Sequence, residues 1–306
     1  MTKVANQRRP FAQAKRAFGA VATLLAMAMA MPLHAAPQGE IPFGVYDPDG
    51  VFADDQDVTI EHLFLPWEDV FLPSLIDADA YAAERGRSIL VTIEPWTWNR
   101  SERNTPDRLL KGISSGEYDQ YMSSICAVLN LFNSNVTVRW AQEMEDKSGQ
   151  FIWAQWDPKN YITAYKRMVD VCRIHAPNIN FMWSPLGYED LDIYYPGDDY
   201  VDIVGISVFG LQAWEREILG HEQSFKDIVG PRYERVVGFG RPVVVAELGY
   251  VGDKGYVDKW NSEVRLAYPE FPNLVAVVYF NQKEVYPWPD NHGKPNWKFE
   301  AHVIGK

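Results

Sequence analysis

Only two cysteines, Cys126 and Cys172, and six histidines occur among the 306 residues. No CxxC pair and no histidine cluster is present, so structural zinc and dithiol redox chemistry find no support and no cofactor is expected. Basic charge is also scarce. The 29 Lys and Arg stand against 41 Asp and Glu, a net charge of −12. A surface this acidic argues against nucleic acid or an anionic membrane as a partner and suits a neutral one. After residue 40 no apolar run approaches the roughly 20 residues that span a bilayer. A glycine-rich dinucleotide fingerprint, a repeat and a low-complexity linker are likewise missing.

What is present begins with a marked first segment. Lys3, Arg8, Arg9, Lys15 and Arg16 precede the uncharged run 17–31, which Pro32 interrupts before Leu33-His34-Ala35-Ala36-Pro37. That is the layout of a secretory signal peptide over residues 1–35, cut after Ala35 or Ala36; an uncleaved membrane anchor is the alternative. Cleavage would leave 271 residues with 24 basic and 41 acidic side chains, a net charge of about −17. A secreted or periplasmic location, no membrane contact after cleavage and a monomer are expected. Each cysteine falls in a segment that reads as helix. Either the two form a disulfide between neighbouring helices in an oxidising compartment, or they are small buried hydrophobes.

Eight short apolar runs follow, at 41–47, 58–65, 87–94, 135–143, 179–184, 201–209, 241–249 and 274–281. Val, Ile, Phe and Tyr dominate them, as strands prefer, and several are continuously apolar, as parallel strands covered on both faces are. Between them, 74–85, 117–132, 158–175, 222–237 and 253–268 carry helical periodicity. Ser74 reads as an N-cap, and Pro158 after Asp157 as a helix start. The links between the first two runs, and between the fifth and sixth, are too short for a full helix. Eight strands and about five helices in one domain, 36–306, predict a (β/α)8 TIM barrel; a doubly wound open sheet is the alternative.

A barrel carries its chemistry at the C-terminal ends of its strands. Four apolar runs end on acids there: Asp47, Glu94, Glu143 and Glu247. Runs four and seven lie on opposing parts of the ring, so Glu143 and Glu247 are the candidate catalytic pair. Two carboxyl groups, one protonated and one charged, are what glycosidic bond cleavage needs. If the fourth strand stays regular, alternation puts Arg139, Ala141, Glu143 and Glu145 on one face, which makes Glu145 the rival to Glu143 and Arg139 a holder of a carboxylate. Regularity would also point Trp140 and Gln142 outward. Asp47, Asp49, Asp54 and Asp55 could in principle hold a metal, but an acidic loop is the plainer reading and no metal is expected. Several of the eleven tryptophans sit at run ends beside polar residues, as sugar-stacking platforms do, although core filling explains tryptophan equally well.

These motifs resemble glycoside hydrolase family 26, a retaining barrel family. Arg139-Trp140-Ala141-Gln142-Glu143 is similar to its acid/base segment, and Ala246-Glu247-Leu248-Gly249 to its nucleophile segment. Met182-Trp183-Ser184-Pro185 and the stretch from Tyr195 to Gly205 match two further motifs in order. The resemblance implies that Glu143 is the acid/base and Glu247 the nucleophile of an endo-acting β-glycoside hydrolase, an endo-β-mannanase or endo-β-glucanase. Mannan, β-glucan or a bacterial exopolysaccharide would be the substrate, and a neutral β-linked polysaccharide or oligosaccharide the partner. Glu94, Trp96, Trp98, Arg139, Gln142, Trp153, Trp183, Phe209, Tyr279 and Trp288 become candidate substrate contacts, with Trp183 beside the cleaved bond. Gln142 stands where the family has histidine, and Phe209 where it has the tyrosine that bonds the nucleophile. These departures also admit a different class of function, a catalytically weak or inactive polysaccharide-binding barrel.

Overall fold

The computed structural model describes residues 36–99, 102–103 and 105–305. Residues 1–35, where the sequence pattern predicts a signal peptide, lie outside the described residues. Eight parallel strands close into a barrel: β1 (Phe43–Tyr46), β2 (Val58–Pro66), β3 (Ser88–Glu94), β4 (Val136–Trp140), β5 (Asn180–Trp183), β6 (Ile203–Leu211), β7 (Val243–Val251) and β8 (Leu274–Phe280). Each pairs with its neighbour in sequence, and β1 closes the ring on β8 from Phe43 against Val277 to Tyr46 against Phe280. The doubly wound sheet is thereby excluded. All eight expected runs are strands.

Strand alternation divides the core into two layers. One face of each strand packs outward against the helices, as Val91 and Ile93 of β3, Val138 and Trp140 of β4 and Val243 and Val245 of β7 do. The other face fills the barrel. There Leu90, Met182, Val244, Ala246, Ala276 and Val278 form a separate cluster toward the N-terminal ends. Buried on both faces, such strands need continuous apolar sequence, which is why the runs lacked a polar side.

Among the described residues, six helices of ten or more residues cover the barrel: α1 (Pro73–Glu84), α2 (Pro106–Ser115), α3 (Asp119–Leu129), α4 (Pro158–His175), α5 (Phe225–Val236) and α6 (Lys254–Glu263). Five lie where periodicity placed them. Helix α2 is additional to that set, although Thr105 caps it by accepting from the Arg108 amide and Gly116 ends it at φ 81°. Ser74 is not a cap: Pro73 opens α1, and the Ser74 hydroxyl donates to the Phe71 carbonyl at 2.7 Å. Asp157 caps α4 through the Lys159 amide, and Ser224 and Asp227 form a reciprocal capping box on α5. Helix α6 stops at Glu263, short of the expected 268.

Cys126 of α3 and Cys172 of α4 are joined in a disulfide with Cα atoms 5.3 Å apart. Arg167 of α4 adds a two-pronged contact to Asp119 of α3, at 3.0 and 2.6 Å. As expected, no full helix follows β1 or β5; the β5–β6 link holds two short 3-10 turns, Leu191–Tyr194 and Asp198–Tyr200. In the β1–β2 loop the side chains of Asp47, Asp49 and Asp55 are engaged structurally. Asp47 accepts from the Phe52 amide at 2.6 Å and Asn281 at 2.7 Å, Asp55 accepts from the Ala36 amide at 2.6 Å, and Asp49 pairs with Lys298. A two-residue hairpin, Trp98–Asn99 against Glu102–Arg103, stands above β3. The Trp98 side chain lies outside the described residues.

Candidate active site

A cleft of about 940 Å³ opens at the C-terminal ends of the strands, and Glu94, Glu143, Ser207, Phe209 and Glu247 line it. Another cavity, of about 760 Å³, lies at the opposite end of the barrel among Ile60, Leu90, Met182 and Val244, with no carboxylate in its lining.

Two local departures from regular strand geometry bring the acids together. On β7, Ile206 pairs with Val245 but Ser207 pairs with Glu247, so Ala246 is an extra residue in a bulge. Ala246 already faces the barrel interior with Val244. Plain alternation would turn Glu247 outward; the bulge turns it back into the mouth. On β4, pairing with β3 ends at Trp140, and Ala141 (φ 46°) and Glu143 (φ 56°) are both left-handed. Non-glycine residues hold that conformation at a cost of about 1–3 kcal/mol each, and such strain concentrates at functional sites. The turn breaks the expected face-sharing. Gln142 and Glu143 both enter the cleft, whereas Glu145 leaves it to accept from the Gly187 and Tyr188 amides at 3.0 and 3.4 Å. Trp140 points outward, packing near Trp67 and Trp156.

The two central carboxylates have different surroundings. Arg139, fully buried, donates to Glu247 through Nη2, and to the hydroxyls of Thr92 (Nε, 2.7 Å) and Ser184 (Nη1, 3.3 Å). Glu143 accepts from the Ser207 hydroxyl. Burial raises the pKa of both, but the Arg139 charge opposes the rise at Glu247. Glu143 is pushed up to about 8, by burial first and by the charge of Glu247 second. Glu94, raised chiefly by burial, accepts from Gln142 Nε2 at 2.8 Å and Trp96 Nε1 at 3.1 Å. Glu143 thus holds its proton near neutral pH beside a carboxyl whose charged form Arg139 favours, the inequality that acid-assisted displacement uses.

The remaining candidates divide. Phe209 and Trp288 line the cleft with their rings edge to face, 6.1 Å apart. Trp153 is wholly buried, its indole N–H donating to the Gln142 carbonyl at 2.7 Å, so it supports the β4 turn and is not a platform. Trp96 is half-buried, with its ring against Phe151 and Trp153. Trp183, fully buried between Tyr195 and Phe239, belongs to the barrel–helix layer and not to the cleft wall. Tyr279 also fails as a substrate contact: it is buried, and its hydroxyl donates to the Trp297 carbonyl at 2.6 Å. For all three the outward face of a strand, or a loop folded beneath it, supplies the burial.

Several cleft residues lay outside the sequence reading. Ser207 could have been found, because it alternates with Phe209 on the inner face of β6. Arg232 of α5 reaches the Ser207 carbonyl and lies over the Tyr188 ring at 5.8 Å, and nothing in its own helix marks it. Tyr286, in the loop after β8, donates to the Ser148 carbonyl of the loop after β4 at 3.0 Å. Among the described residues no group of three or more His, Cys, Asp or Glu side chains is placed to hold a metal ion.

The sequence pattern of glycosyl hydrolase family 26 matches residues 94–269, more than half of the chain. The chain belongs to glycosyl hydrolase family 26. Among characterised relatives of this family 26 chain, endoglucanase H of Acetivibrio thermocellus is 24% identical over 257 residues, 75% of this chain and 25% of that protein. The β-1,3-xylanase TXYA of a Vibrio species is 26% identical over 116 residues, 35% of this chain and 24% of that one. The family 26 chain therefore spans about a quarter of the length of these relatives. Its fold is similar to that of a modular endo-β-1,4-mannanase from Cellulomonas fimi (TM-score 0.63, 16% identity, 84% of this chain and 69% of that one). It is also similar to the catalytic domain of an endo-β-1,4-mannanase from Bacillus sp. JAMB-750 (TM-score 0.61, 16% identity, 83% and 79%).

Proposed function

We propose that the chain is a retaining, endo-acting hydrolase of a neutral β-linked polysaccharide, with Glu247 as nucleophile and Glu143 as acid/base. The observation that carries this reading is the unequal environment of the pair. Arg139 favours the charged form of Glu247, and burial beside that charge keeps Glu143 protonated. In the first step Glu247 attacks the anomeric carbon while Glu143 gives its proton to the leaving oxygen. In the second, Glu143 takes a proton from water as water displaces Glu247. Gln142, Glu94, Phe209 and Trp288 line the cleft, which supports sugar-hydroxyl contacts for the first two and ring-face contacts for the others.

Mannan, β-glucan and a bacterial exopolysaccharide are the candidate substrates. Family membership and relatives named as an endoglucanase, a β-1,3-xylanase and endo-β-1,4-mannanases support that range. The basic and apolar first segment supports export after cleavage near Ala35, to the periplasm or the medium.

The reading is tested on Glu247→Ala. Turnover should be abolished, and azide should restore it with a glycosyl azide of inverted configuration as product. Intact turnover without azide would overturn the assignment. A second reading, a polysaccharide-binding barrel with decayed catalysis, draws on Phe209, which offers Glu247 no hydroxyl. A reducing-end assay on wild-type protein over a panel of mannans, glucans, xylans and bacterial exopolysaccharides separates the two.

A further inference from the structure

Arg139 is held at three points, and one of them leads deeper into the barrel. Its Nε donates to Thr92 Oγ1 of β3 at 2.7 Å. Thr92 Oγ1 in turn lies 2.7 Å from Nε2 of His62 on β2. All three side chains are buried, with Thr92 and Arg139 fully enclosed and His62 2% exposed. The rings of Phe64 and Tyr46 lie against the imidazole, at centroid distances of 4.3 and 6.1 Å.

The direction of this chain follows from donor and acceptor chemistry. A guanidinium donates and cannot accept, so Thr92 Oγ1 is the acceptor in its contact with Arg139. The Thr92 hydroxyl proton then needs an acceptor of its own, since a buried hydroxyl is rarely left undonated. Among the described residues His62 Nε2, 2.7 Å away, is the neighbour placed to serve. Burial first, and the nearby Arg139 charge second, hold the His62 pKa well below its ordinary value, so the ring is neutral and Nε2 can carry a lone pair.

We propose that Thr92 and His62 are positioning residues: neutral His62, with its proton on Nδ1, accepts from Thr92, and Thr92 thereby fixes the Arg139 guanidinium against Glu247. The relay runs inward from β2 through β3 and β4 to the end of β7. It sets which carboxylate receives the buried positive charge. Its importance for turnover rests on the reading of Glu247 as nucleophile; its existence does not. The groups facing Glu247 are Arg139 and Glu143 from β4, Glu94 from β3, Tyr46 from β1 and Glu284 from the loop after β8. Arg139 is the cation in contact with Glu247, and its orientation therefore bears directly on that carboxylate's ionisation.

The test uses the free full-length protein and needs no substrate. Carbon-13 NMR of labelled glutamate carboxyls, with Glu247→Gln for assignment, gives the titration of Glu247. Nitrogen-15 NMR gives the His62 tautomer. Wild-type protein should show the Nδ1–H form at neutral pH. Thr92→Val, nearly the same shape, and His62→Leu should each move the Glu247 titration upward by about one pH unit, equivalent to a tenfold change in the ionisation constant. Thr92→Ser should restore the wild-type value. An Nε2–H tautomer, or a Glu247 titration unmoved in folded Thr92→Val, would overturn the proposal; lowered stability alone with an unmoved titration counts against it. Retained turnover in Glu247→Ala would overturn the catalytic reading and leave this measurement standing.

Discussion

Glu143 and Glu145 are two residues apart on one strand end, yet their carboxylates occupy different compartments. Glu143 faces the cleft and Ser207, and Glu145 is buried against the Gly187 and Tyr188 amides. The left-handed backbone at Glu143 separates them. Glu143→Gln should therefore lower kcat on an unactivated polysaccharide by about 100- to 10,000-fold, the usual worth of a positioned proton donor. Glu145→Gln retains an amide-accepting oxygen and should keep most of the activity. Steady-state kinetics on both variants check this, and the reverse result would exchange their roles.

The same substitution has a consequence for stability. The folded pKa of Glu143, about 8, lies above its ordinary value of 4.5. A carboxyl raised on folding contributes stability that is fully present below pH 4.5 and is lost as pH rises through 8. Glu143→Gln removes that loss. The variant should melt at a higher temperature than wild type, with the difference small at pH 4.5 and growing toward pH 8. Melting curves across this range test it; a constant difference would contradict the linkage.

The tryptophans should separate by what they support. Trp153→Ala removes a buried ring and the donor to the Gln142 carbonyl, and should cost about 3–5 kcal/mol of stability. Trp183→Ala should do the same without a specific effect on substrate affinity. Trp288→Ala opens a cleft wall and should raise KM with a smaller loss of stability than either. Denaturant unfolding together with KM measurements distinguishes the two behaviours.

The disulfide spans 46 residues between α3 and α4, away from the strand ends that carry the carboxylates. Closing a loop of that length restricts the unfolded chain by about 4 kcal/mol. Replacing both cysteines by serine should lower Tm markedly and leave kcat at 25 °C nearly unchanged. A fall in kcat as large as that in Glu143→Gln would show that α3 and α4 position the site, contrary to the separation seen.

Much of the fold was legible in the sequence because parallel strands buried on both faces must be apolar throughout. Runs such as Ser88–Glu94 and Val243–Val251 therefore announce themselves, and an acid at their ends stands out. Helix α2 escaped because its periodicity is short and its stop and start, Thr105 and Gly116, lie close together. Glu143 and Glu247 were legible as strand-end acids on opposite parts of the ring. Their aim was not: alternation alone grouped Glu145 with Glu143 and turned Gln142 outward. A bulge at Ala246 and left-handed residues at Ala141 and Glu143 decided otherwise.

The sequence by itself determined the barrel, its strands and the two carboxylates, because those follow from local pattern and strand order. Tertiary structure decided which tryptophans meet solvent, since Trp153 and Trp183 look like Trp288 until helices and loops cover them. It also decided that the two acids differ. That difference comes from burial and from the Arg139 guanidinium, which meets Thr92 and Glu247, 47 and 108 positions away along the chain, only when the barrel closes.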